Sequence, residues 1–369
     1  RRTRTMHPTN TIFEDLFVLE LANNHWGSLE RGLEIVRQFS EVVRAGNVRA
    51  AIKLQFRDVD AFVHKDYKSR TDIRYVKKTL DTKLSEQEFS VLVDAIKQSG
   101  CIAMATPFDE RSVGLCEKFD FPIIKIASAD LGDRSLIRRI IQTGRPAIIS
   151  TGGASEGAVD DVVKMFEEHG IPLAINHCVS LYPSENDELE LNQIDYLRNR
   201  HPGHVIGFST HEYRDWHDSM LISYAKGART WERHIDIEAD GIPVSSYCSL
   251  PHQVAQWFAA YHAAREMCGG RPDQRRALPS REISYLDNLA RGIYARHELP
   301  AGHPLRPETF EQDFYMAVPL QKGQLSSREL LAGLCLKVDI RSDAALTLDH
   351  IEDEAMSSEQ KALIQERGL

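Results

Sequence analysis

The stretch VIGFSTHEYRDWHDSMLISYAKGARTWERH (205–234) decides the fold. It opens on VIGFSTH (205–211), an apolar β-prone run closed by His211, and ends on RTWERH (229–234), closed by His234 with Glu232 beside it. A helix-like stretch separates the two runs. Strand, helix, strand in that order makes the strands parallel neighbours, with both imidazoles at the same sheet edge. In a β/α barrel that edge is the catalytic face, and paired neutral imidazoles there can bind a divalent metal. Two strand-end histidines held by ordinary hydrogen bonds would give the same local pattern, so the rest of the chain has to decide.

Outward from this unit the pattern repeats. Strand-like runs are LFVLELA (16–22), AIKLQF (51–56), CIAMAT (101–106), PIIKIAS (122–128), AIIST (147–151), LAINHC (173–178), VIGFST (205–210) and TWERHI (230–235). Amphipathic stretches lie between them, several starting at Ser or Asp and stopping at Gly, as helix caps do. Eight βα units over about 250 residues is the count and length of a closed (β/α)8 TIM barrel, an α/β fold. An open doubly wound sheet is the rival, and the even eightfold count favours closure. The excursion from Arg57 to Lys83 is too long for a tight βα connection and reads as an active-site loop or a solvated insertion.

The chain has 369 residues and a net charge of −9, which argues against a nucleic-acid surface; no basic, aromatic-interleaved patch is present. No run approaches the roughly 20 apolar residues of a membrane helix. Residues 1–12 read as a disordered lead-in, 13–272 as the barrel, 273–288 as a polar linker, and 289–352 as a small, mostly β domain. Residues 353–369 read as a tail, either a charged surface helix or frayed. Six cysteines without a C-x-x-C pair suit reduced thiols in a cytoplasm.

Charges at the end of a barrel strand need a reason, and every strand end carries polar residues. They are Glu20, Asn23, Asn24 and His25; Lys53 and Gln55; Thr106; Lys125, Ser128 and Asp130; Ser150 and Thr151; His177, Ser180 and Tyr182; Ser209 and His211; Glu232 and His234. Lys53 and Lys125 with the hydroxyls of Thr106, Ser128, Ser150 and Ser209 could hold a substrate bearing phosphate and carboxylate. Glu20 and Glu232 are candidates for proton transfer or for holding a metal-bound water. There is no G-x-S-x-G, P-loop or dinucleotide fingerprint, so hydride chemistry and nucleotide hydrolysis lack support.

At these residues the chain resembles the sialic acid synthase family of nonulosonate synthases, most like its spore coat polysaccharide biosynthesis protein E branch. ELANNHWGS (20–28), IKLQ (52–55), ATPFD (105–109), IKIAS (124–128), STGG (150–153), HCVSLYPS (177–184), IGFSTH (206–211) and ERH (232–234) carry the resemblance, in order and each at a strand end. It implies phosphoenolpyruvate-dependent condensation with the open-chain aldehyde of an N-acylmannosamine-type sugar, giving a 2-keto-3-deoxy sugar acid and phosphate. It further implies manganese or magnesium on His211 and His234. Lys53, Thr106, Lys125, Ser128, Ser150 and Ser209 match positions that grip phosphoenolpyruvate; Glu20, Gln55, Tyr182 and Glu232 match positions facing the sugar and the proton transfers. Residues 289–352 resemble the family's antifreeze-like (SAF) domain, which implies a homodimer in which that domain covers the partner's barrel. The departures fall on the sugar side. Thr210 stands for an Asp, Ser180 for an Asn that follows the HC pair, and Ser245 for another Asp, and FYMAVPLQKGQ lacks the expected arginine. An acceptor other than N-acetylmannosamine is therefore expected. The alternatives are a 3-deoxy-octulosonate phosphate-type synthase, a Schiff-base aldolase using Lys125, and a scaffold homologue that has lost catalysis.

Overall fold

The computed structural model describes residues 11–329, 334–352, 354 and 356–369. The chain divides into two compact units, one running to Gly269 and the other from Gly270 to Leu369. In the first, β1 (Leu16–Ala22), β2 (Arg49–Phe56), β3 (Ile102–Pro107), β4 (Ile124–Ile126), β5 (Ala147–Ser150), β6 (Leu173–Cys178), β7 (Val205–Thr210) and β8 (Thr230–His234) close into a parallel barrel. The ring is completed by β1 pairing with β8, from Leu16↔Thr230 to Glu20↔His234. All eight expected strands are present. Only β4 is markedly shorter than expected, because Ser128–Asp130 leave the sheet in a 3-10 turn.

Helices surround the barrel: α1 (Leu29–Gly46), α2 (Val59–Phe62), α3 (Arg74–Asp81), α4 (Glu86–Gln98), α5 (Glu110–Lys118), α6 (Arg134–Gln142), α7 (Glu156–Glu168), α8 (Asn192–Arg200), α9 (Asp218–Ala225) and α10 (Pro251–Cys268). Five of them begin where the sequence places a cap. The side chains of Ser28, Ser85, Asp109, Asp133 and Ser155 each accept a hydrogen bond from a backbone amide of the first turn. The Arg57–Lys83 excursion carries α2 and α3 rather than irregular chain.

Alternation along the strands sorts the barrel interior into layers. Leu16, Val18, Ala51, Met104, Ile123, Ile148, Ala174 and Val205 meet with Phe13 in an apolar floor. Two residues further along the same inward rows stand polar residues, as in Val18 then Glu20, Ala51 then Lys53, Met104 then Thr106, Ile123 then Lys125, and Ile148 then Ser150. The outward rows, including Phe17, Leu19, Ile52, Leu54, Ile149, Phe208 and Trp231, pack against the helices in the main core. One end of the barrel is thus an oily plug and the other a polar cup.

Three boundaries differ from the sequence expectation. Thr11 and Ile12, expected in a disordered lead-in, belong to a turn whose carbonyls accept from Arg49, and Ile12 packs against the floor; residues 1–10 lie outside the described residues. The expected linker contains α11 (Ser280–Asp287), which buries none of its residues. The second unit pairs β9 (Gly292–Ala295) antiparallel with β10 (Phe314–Ala317), and α12 (Phe310–Asp313) precedes β10. Its core gathers Ile293, Leu305, Phe314, Leu336 and Leu346. The tail forms α13 (Ser358–Glu366), whose Ile364 is buried in that core, so it is part of the unit rather than frayed.

Candidate active site

The polar cup is built around a buried chain of charges. Glu20 ion-pairs with Lys53, which donates to Thr106 Oγ1 at 2.7 Å and lies 3.3 Å from Glu232 Oε1. The other carboxylate oxygen of Glu232 lies 3.7 Å from Lys125 Nζ. Gln55 Nε2 donates to Glu20 Oε1 at 2.9 Å, and Gln55 Oε1 accepts from Arg57 at 3.0 Å. Burial pulls the Lys53 ammonium down to about 8, against the attraction of Glu232. Burial pushes the Glu232 carboxyl the other way, and the ammoniums of Lys125 and Lys53 outweigh it, leaving the carboxyl below its ordinary value. Two carboxylates and two amines from β1, β2, β4 and β8 therefore meet in one buried cluster.

A second group lies across the cup. Ser128 Oγ accepts from the Gly152 amide at 3.0 Å. A Cβ at position 152 would stand 2.1 Å from Ser180 Oγ and 3.1 Å from Ser128 Oγ, so glycine is needed for these hydroxyls to converge. Ser209 is buried in register with Cys178 on one side and Glu232 on the other. Ser150 Oγ and both side-chain polar atoms of Asn176 are buried with no partner among the described residues. Orphaned buried donors and acceptors are costly, and here they lie on the inward rows of β5 and β6 within the polar cup, as part of a cradle for a bound oxyanion would.

The histidines stand at the rim, with ring centres 5.5 Å apart. His211 Nδ1–H donates to the Val179 carbonyl at 2.9 Å, which leaves Nε2 as the free lone pair. Burial lowers His211 to about 4 and holds His234 well below the usual histidine value, so both are neutral, the form that binds metals. Among the described residues no third histidine, cysteine or carboxylate joins them in a three-ligand cluster. The donor set fits a metal that keeps positions open for water and substrate. Tyr182 packs its ring 3.9 Å from that of His211.

All thirteen site residues expected from the sequence thus belong to this one end of the barrel. His177, counted there among the strand-end polar residues, does not: its Nε2 bonds the Leu189 carbonyl and its ring stacks on Phe208 outside the barrel. Three residues given no role from sequence do contribute. Tyr247 places its ring 5.2 Å from His234 and 5.3 Å from Tyr182. The Arg57 guanidinium stacks 3.6 Å over Phe108. Asp130 has a buried, unpartnered Oδ2, and its carboxyl is raised from 3.8 to about 6 by burial and by Asp133, with Arg57 and Lys125 opposing. The sequence signal for Asp130 was its place two residues after Ser128; its raised pKa needed the fold.

A profile of the NeuB family matches residues 42–271. The chain belongs to the NeuB family. Its structure superposes with a TM-score of 0.87 on a Chromobacterium violaceum protein described as spore coat polysaccharide biosynthesis protein E. That protein is 34% identical over 92% of this chain and all of its own. Similar curated proteins include N-acetylneuraminate-9-phosphate synthase of Drosophila melanogaster, 30% identical over 64% of each chain. Pseudaminic acid synthase of Campylobacter jejuni is 26% identical, over 81% of this chain and 87% of the relative. The family resemblance read from the strand-end motifs therefore holds.

Proposed function

We propose that the barrel condenses phosphoenolpyruvate with the open-chain aldehyde of an N-acylmannosamine-like aldose, yielding a 2-keto-3-deoxy sugar acid and phosphate for surface polysaccharide biosynthesis. The observation that carries this reading is the adjacency, at one barrel mouth, of a lysine–hydroxyl oxyanion cradle and a pair of neutral histidines. The names of the synthase relatives support it.

In this reading Lys53 and Lys125 neutralise the carboxylate and phosphate of phosphoenolpyruvate, and Ser128, Ser150, Ser180 and Ser209 hydrogen-bond its oxygens. Thr106 holds the Lys53 ammonium in place through the 2.7 Å bond. Gln55 and Tyr182 face the sugar. Bond formation joins C3 of phosphoenolpyruvate to the aldehyde carbon, water adds at C2, and phosphate leaves. The water loses both protons on its way to the C2 carbonyl, one to the aldehyde oxygen and one to the departing phosphate. In this reading Glu20 and Glu232 accept from water, and Asp130, whose carboxyl is raised to about 6, can hold and return a proton close to neutral pH. His211 and His234 would hold manganese or magnesium, whose chemistry there is polarisation of the aldehyde.

The second unit is proposed to be an antifreeze-like (SAF) domain that covers the partner's barrel in a homodimer. A cytoplasmic location fits the six free cysteines and the absence, among the described residues, of any helix long and apolar enough to cross a membrane. The test is phosphate release and product mass with phosphoenolpyruvate, manganese and a panel of aldoses. A condensation product from an aldose other than N-acetylmannosamine is expected. No product from any acceptor would overturn the reaction, and N-acetylmannosamine as clearly the best would overturn the altered sugar specificity.

A further inference from the structure

We propose that Arg233 and Glu212 form a buried spacer that fixes the separation of His211 and His234, acting as positioning residues; this rests on the reading of the histidines as a metal site. The hydrogen-bonded ladder between β7 and β8 ends at the rung Thr210↔Arg233. Each histidine lies one residue beyond that rung. The backbone pairing of the two strands thus runs out at the histidines. Beyond it a side chain continues the tie.

Alternation turns Glu232 and His234 into the barrel and Arg233 out of it, towards the helices. There Arg233 Nη1 donates to Glu212 Oε1 at 2.7 Å and Nη2 donates to the Glu212 carbonyl, also at 2.7 Å. The residue before His234 is thereby clamped to the residue after His211. The third donor, Nε, reaches Ser249 Oγ at 2.8 Å, and the Ser249 amide donates to the His234 carbonyl at 2.8 Å. Ser219 of α9 donates to Glu212 Oε1, and Trp216 donates to Ser249 Oγ at 2.9 Å.

Both side chains of the ion pair are almost wholly buried, at 0% and 1% exposure. A buried ion pair is poor evidence for stability, since an apolar pair of equal volume often does as well. What an apolar pair lacks is the fixed two-pronged geometry of guanidinium on carboxylate and carbonyl. A device that sets a distance needs that geometry. Glu212 Oε2 is buried without a partner among the described residues, so the arrangement is not chosen for full hydrogen bonding.

The experiment titrates manganese into the full-length chain and follows free Mn(II) by electron paramagnetic resonance. The proteins are the parent, His211→Ala, Glu212→Gln, Arg233→Met, Arg233→Lys and the Glu212→Gln/Arg233→Met double variant. Binding should be lost in His211→Ala and weakened tenfold or more in both the double variant and Arg233→Lys. The double variant should be no weaker than the worse single, because both singles break one clamp. Phosphoenolpyruvate binding to the metal-free protein should stay unchanged in all the spacer variants, which a general loss of structure would not allow. The double variant leaves no unpaired buried charge, and Arg233→Lys keeps the charge while losing the fork, so misfolding of the singles does not end the test. Manganese binding within twofold of the parent in folded double and Arg233→Lys variants would overturn the spacer. Equal binding by the parent and His211→Ala would instead sink the metal reading, and the spacer with it.

Discussion

Asp130→Asn should make the protein more stable and nearly inactive at once. Between pH 3.8 and about 6 the folded chain keeps a proton on Asp130 that the unfolded chain has released. Stability therefore falls as pH rises through that window, and at neutral pH the whole penalty of holding an unpartnered carboxylate is present. At about 1.4 kcal/mol per pH unit the ceiling is near 3 kcal/mol. Asp130 is partly exposed, and solvent screening reduces this to about 1–2 kcal/mol. Asparagine has nearly the same shape and no charge, so the variant should unfold about 1–3 °C higher at pH 7 and show no gain at pH 4. If Asp130 moves the proton, kcat should fall about 10²–10⁴-fold. Thermal unfolding at the two pH values and phosphate release on the same preparations supply both readouts. A variant that is less stable at pH 7 would refute the burial argument, and one with parental kcat would refute the proton-transfer role.

Two further outcomes probe other parts of the reading. Gly152→Ala sets a methyl group 2.1 Å from Ser180 Oγ, so KM for phosphoenolpyruvate should rise about tenfold, with a stability cost of about 1–3 kcal/mol from overpacking; an unchanged KM would remove Ser128 and Ser180 from the cradle. Sedimentation at micromolar concentration should give a dimer, and a monomer would count against the partner-covering role of the second unit.

Much of the barrel was legible because each strand is a short apolar run between capped helices, and Ser85 or Asp133 marks a helix start wherever it falls. The cup was legible for a related reason. On an inward row a polar residue two places after an apolar one, as in Ile123 and Lys125, has no reason to exist except at a site. What escaped the sequence was whatever depends on neighbours distant in the chain. Asp130 looks like any turn aspartate until burial and Asp133 raise its carboxyl. Tyr247 reaches the histidines only because the chain after β8 folds back over them. The helix α11 begins inside RPDQRRALPSREIS and buries none of its residues, although Ile283 and Leu286 share a face.

The plug of Phe13, Leu16, Val18 and Met104 beneath the lysines has a kinetic corollary. The barrel is a cul-de-sac, with traffic through one doorway in both directions. In the proposed reaction, phosphoenolpyruvate held at Lys53 and Lys125 would have to enter ahead of a sugar held near Tyr182 and Tyr247. A seated sugar would then lock the inner reactant in, and commitment to reaction would come from the order of occupancy rather than from tightness of binding.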